Sequence, residues 1–116
     1  MNGTLGGART LAEEIAAGVS PGGVLANQCD FVLCPPFVHL QAVGDILRRQ
    51  DTPVLLGAQD CARTANGAFT GDVSAAMLKD AGCHYVILGH SERRMYHKEA
   101  DEIVAAKAAK GHDALG

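Results

Sequence analysis

Long apolar runs are missing from this 116-residue sequence. None approaches the ~20 residues that a bilayer-spanning helix needs, so no membrane partner is expected. The N-terminus lacks the basic-then-apolar pattern of a secretory signal, and the simplest expected location is cytoplasmic. Charge of one sign is also scarce: charged residues make up 20% of the chain and the formal net charge is −3. Arg48-Arg49 and Arg93-Arg94 are pairs, too short for a basic patch. Nothing therefore draws the chain to nucleic acid or to an anionic membrane surface.

Several chemical motifs are absent as well. The four cysteines (29, 34, 61 and 83) form no C-x-x-C pair, and the five histidines (39, 84, 90, 97 and 112) are scattered. Zinc sites need ligands at short paired spacings, so no metal is expected and the thiols are expected to be buried and reduced. Gly6-Gly7 and Gly22-Gly23 lack the spacing of a phosphate-cradling loop. The serine-hydrolase elbow Gly-x-Ser-x-Gly does not occur.

What is present is 47% hydrophobic content, enough for one domain with a core. Three short apolar runs stand out: Phe31-Val32-Leu33-Cys34, Val54 to Ala58, and Tyr85-Val86-Ile87-Leu88. Near-continuous runs of this kind suit parallel strands covered on both faces. Helical patterns lie between and around them. Leu40, Val43, Ile46 and Leu47 are at helical spacing after Pro35-Pro36 and stop at Asp51-Thr52-Pro53. Ala75 to Leu78 follow Ser74, a capping residue, and Gly82 is a stop signal. Further helices are predicted over about residues 8–17, with Leu11 and Ile15 on one face, and 99–110, with acidic residues in the first turn. Strands alternating with helices predict an α/β fold with a parallel sheet, either open and doubly wound or part of a closed barrel.

Gln59 to Gly71 is long for a βα loop and holds the turn signal Asn66-Gly67 and a lone aromatic, Phe69. It reads as a functional loop, a contact surface or a surface insertion. Gly89-His90-Ser91-Glu92-Arg93-Arg94 directly follows the third run, a place where α/β enzymes carry out chemistry. If a helix starts at Ser91 or Glu92, a free N–H of its first turn can donate to Nδ1 of His90. The proton of a neutral ring then sits on Nε2, which can polarise a carbonyl and stabilise an enediolate oxygen. Taken alone, a histidine at a strand end is more often a structural hydrogen-bonding group. Glu92 is a general base or a structural carboxylate; the two arginines after it favour an ion-paired structural role.

Tyr85 to Arg94 resembles the fourth-strand signature of the triosephosphate isomerase family. Gly57-Ala58-Gln59-Asp60-Cys61 with Ala65 to Asp72 resembles that family's third loop, and Met77 to Gly82 continues the likeness. Cys34-Pro35-Pro36 is similar to the end of its second strand, and Met1-Asn2-Gly3 to the segment after its first. The likeness weakens over Gly111 to Gly116. It implies a partial (β/α)₈ barrel, about three parallel strands alternating with helices, as a single domain over residues 1–116. It also implies the interconversion of dihydroxyacetone phosphate and glyceraldehyde 3-phosphate, without cofactor, in a homodimer. By this resemblance His90 is the electrophile, held neutral by a helix N-terminus as is established for the family. Ser91 and Glu92 support it, Glu92 near the family's substrate lysine. Thr70, with Gln59, belongs to the loop that reaches the partner's active site.

The same resemblance implies that the substrate lysine belongs before Met1, and the catalytic glutamate after the fourth helix. Lys79, Lys98, Lys107 and Lys110 fall on predicted helices or their flanks and do not replace that lysine. A barrel takes about 250 residues, so these 116 are expected to form roughly the first half and to be inactive alone. The other expectation is a non-catalytic half-barrel module that pairs through the Gln59–Gly71 loop.

Overall fold

The computed structural model describes all residues, 1–116. Three parallel strands, β1 (Val32–Leu33), β2 (Leu55–Ala58) and β3 (Tyr85–Val86), form a sheet in the order β1-β2-β3. The register pairs Val32 with Leu55 and Gly57 with Tyr85. Helices α1 (Leu5–Gly18), α2 (Val24–Gln28), α3 (Leu40–Arg49), α4 (Ala75–Asp80), α5 (Ser91–Tyr96) and α6 (Asp101–Leu115) surround it. A single 3₁₀ turn, Phe37–His39, leads into α3. Consecutive strands are sheet neighbours with no reversal of order, the winding of a barrel segment and equally of one half of a doubly wound sheet.

Local sequence explains most of these limits. Thr4 caps α1 by accepting from the Gly7 N–H, and Ser74 caps α4 by accepting from the Met77 N–H. Asp101 and Glu102 meet the positive end of α6. Leu40, Val43, Ile46 and Leu47 are all buried, as their spacing predicts. The packed face of α1 differs from the expected one. Ala12 and Ala16 are buried, whereas Leu11 is 57% exposed, because α1 and α3 approach each other through the small residues.

The core lies on one side of the sheet, where Leu56 and Ala58 pack with α3, α4 and α1 residues such as Val43, Leu78 and Ala16. The opposite side carries Val32, Cys34, Gly57 and Tyr85: a Cβ built on Gly57 would lie within 3.3 Å of the side chains of the other three. No helix covers it, which corrects the expectation of strands buried on both faces. Tyr85 and Ile87 are 43% and 40% exposed. Strand pairing extends over two residues at each of β1 and β3. The accessible surface is 7353 Å², against about 6,000 Å² expected for a closed domain of this mass. Cys34, Cys61 and Cys83 are partly or fully buried and burial raises their thiols. Cys29 is exposed, contrary to expectation. No helix is long and apolar enough to cross a membrane.

Candidate active site

His90 sits at the C-terminal end of β3 as the N-cap of α5. The backbone N–H of Glu92 donates to its Nδ1 at 3.2 Å. A nitrogen that accepts this bond carries no proton, so the proton of the neutral ring is on Nε2. The Glu92 carboxylate is 3.9 Å from the same nitrogen, too far for a hydrogen bond. The His90 side chain is 51% exposed.

Glu92 is not paired with the arginines that follow it, which corrects the sequence expectation. Its side chain is 76% exposed, and both arginines turn elsewhere. Helix neighbours one and two positions apart do not face each other, so Glu92 cannot serve both. Arg94 donates from Nε to the Gly89 carbonyl at 2.8 Å and from Nη1 to Asp101 at 2.7 Å. Arg93 pairs with Asp60 and Glu99. Ser91 lies exposed in the first turn of α5, and its hydroxyl takes no part in the bond to Nδ1.

Gln59 lies just past β2 and donates from Nε2 to the Cys34 carbonyl at 2.9 Å, tying the ends of β1 and β2. The loop that follows is closed at its base by the Ala62 N–H donating to the Val73 carbonyl. It folds over at Gly67, and the Phe69 ring packs on that glycine. Thr70 is exposed near the tip, and no hydrogen bond joins it to Gln59 or His90. The structure thus sets His90 and Gln59 at the same end of the sheet, with Thr70 exposed on the loop and bonded to neither.

One cluster escaped the sequence reading. Lys107 of α6, 92% buried, is 2.8 Å from Asp60 and 3.0 Å from Glu99, which Arg93 also engages. Two acids and two bases cancel. Burial acts most strongly on Glu99 and would raise its carboxyl, but hydrogen bonds from Lys107 and Arg93 outweigh it and hold it below the usual range. Lys107 and Asp60 are 47 residues apart in the chain, and only the proximity of acidic and basic residues across elements reveals the cluster. The cluster lines a cavity of about 400 Å³ beside α5. Its charges are committed to one another, so it offers no free base.

The family model described as triosephosphate isomerase matches residues 1–114, which includes most of the tail where the likeness is weakest. A triosephosphate isomerase of Gluconacetobacter diazotrophicus is 48% identical over 107 residues, covering 92% of this chain and 41% of the relative. One of Roseiflexus castenholzii is 46% identical over 112 residues, covering 95% of this chain and 42% of the relative. The crystal structure of triosephosphate isomerase from Bartonella henselae superposes with a TM-score of 0.85 at 40% identity, covering 99% of this chain and 45% of that one. The chain therefore spans about two fifths of the length of the curated relatives it matches.

Proposed function

The chain belongs to the triosephosphate isomerase family, and from that premise we propose that its His90 segment is the electrophilic part of a triose phosphate isomerase site. The observation that carries this is the Glu92 N–H on Nδ1, which leaves Nε2–H as the donor. In that reaction a proton moves between adjacent carbons through an enediolate. Nε2–H polarises the substrate carbonyl and then stabilises the charge that develops on its oxygen. Ser91 and Glu92 shape the turn that holds the ring, and Glu92 faces solvent, free to meet a lysine. The Gln59–Gly71 loop, with Thr70, is the part that docks on a partner subunit in a homodimer. The single domain over residues 1–116 acts in the cytoplasm in this reading.

The reading assigns no proton-moving base to these residues, since Glu99 is neutralised by Lys107 and Arg93. A positioned general base supplies about 10²–10⁴-fold of rate. Triose phosphate turnover by the 116-residue chain is thus expected to fall at least that far below a complete family enzyme. A rate close to the complete enzyme's would show that these residues do hold a base, and no turnover above that of a His90→Ala chain would overturn the role of His90.

A second reading, a non-catalytic half-barrel module, is favoured by the bare sheet face. The surface in excess of a closed domain is roughly 1,300 Å², more than the ~800 Å² that each partner gives to a standard interface.

A further inference from the structure

His90 is held by a helix that cannot hold itself. α5 has six residues and buries none of them. A helix this short is marginal without tertiary support. The bond from Glu92 to Nδ1 therefore persists only as long as something ties the entry of α5 to the body of that short helix.

Arg94 is placed to do this. It lies in the last turn of α5 and reaches back five residues, its Nε donating to the Gly89 carbonyl at 2.8 Å. That carbonyl belongs to the peptide unit joining Gly89 to His90, so holding it fixes the plane from which the His90 side chain departs. Gly89 itself is left-handed, with φ +63°. Two groups crowd its α-carbon: a Cβ there would come within 2.8 Å of Val104 Cγ1 and 3.0 Å of Arg94 Nη2. The other arm of the guanidinium, Nη1, is anchored on Asp101 at the start of α6. One planar fork thus ties the strand end, the last turn of α5 and the next helix, which a single ammonium cannot do.

The geometry points to Arg94 as a positioning residue that sets the tautomer of His90 through the Gly89 carbonyl. Arg93, its neighbour, anchors the same helix to the buried charges but does not touch the Gly89–His90 peptide. The inference rests on the reading of His90 as an electrophile with its proton on Nε2.

Three ¹⁵N-labelled chains test it: wild type, Arg94→Gln, whose shorter side chain does not reach Gly89, and Arg94→Lys, which keeps one donor of full length. The readouts are the ring nitrogen shifts of His90 and the exchange rate of the Glu92 amide. In Arg94→Gln the ring is expected to become a mixture of tautomers, and the Glu92 amide to exchange about tenfold faster or more, as loss of a charge-assisted hydrogen bond implies. Arg94→Lys restores the wild-type ring in part. A merely structural role lowers the melting temperature of Arg94→Gln and leaves the ring unchanged, and that result overturns the inference. If Arg94→Gln does not fold, the coupling across the hydrogen bond from Arg94 Nε to the Gly89 carbonyl carbon in wild type decides, and its absence overturns the inference. A wild-type ring protonated on Nδ1 sinks the electrophile reading instead, so the two failures are distinguishable.

Discussion

The donor to His90 is a backbone group, so no substitution at Glu92 except proline removes it, and the bond responds to whatever holds α5. Glu99 anchors α5 by pairing with Arg93, and it pairs with Lys107 as well. Glu99→Gln leaves Lys107 and Arg93 facing a neutral amide in a buried setting. Breaking a buried pair costs ~3–5 kcal/mol, and Asp60 still compensates Lys107, so a loss of about 2–3 kcal/mol is expected in denaturant unfolding. The wild-type carboxyl is lowered on folding, so its contribution is fully present above the unfolded value, near 4.5. It is lost as the pH falls through the lower folded value. Wild type is therefore expected to lose stability more steeply than Glu99→Gln below about pH 4.5. Parallel acid unfolding curves for the two would refute this.

The turn from β3 into α5 depends on Gly89, whose left-handed backbone and contact with Val104 leave no room for a methyl group. Gly89→Ala is expected to cost about 1–3 kcal/mol and to lower the melting temperature. A neutral effect would mean that the turn can relax. The sequence made the centres of the elements legible: each apolar run holds a strand, Ser74 does cap α4, and Leu40, Val43, Ile46 and Leu47 do form one buried face. It did not reveal α2, a five-residue helix after Gly22-Gly23 with no side-chain cap and no buried residue. It placed Glu92 beside arginines by adjacency, although helical geometry directs them to Asp60, Glu99 and Asp101. The ring-holding bond of His90 was readable because a strand end followed by a helix start fixes the donor locally. The Lys107 cluster was not, since Asp60 after β2, Arg93 of α5, Glu99 before α6 and Lys107 of α6 meet only in the folded chain.

The whole molecule is an open structure. Its radius of gyration, 14.9 Å, exceeds the ~13 Å of a compact domain of this length, and β1 and β3 each keep one unpaired edge. Exposed apolar sheet faces and strand edges drive association. Light scattering of the purified chain is expected to show a mass above 12.0 kDa that rises with concentration. A strict monomer at high concentration would count against the half-barrel module. Association and catalysis are separable, because the bare face involves Val32, Cys34 and Tyr85, while the proposed chemistry involves the Nε2–H of His90 at the strand ends. The state of that ring is the most direct measure of the functional assignment. A ¹⁵N spectrum of the histidine ring nitrogens at neutral pH is predicted to show, for His90, a protonated Nε2 and an unprotonated, hydrogen-bonded Nδ1. A proton on Nδ1, or on both nitrogens, would contradict it.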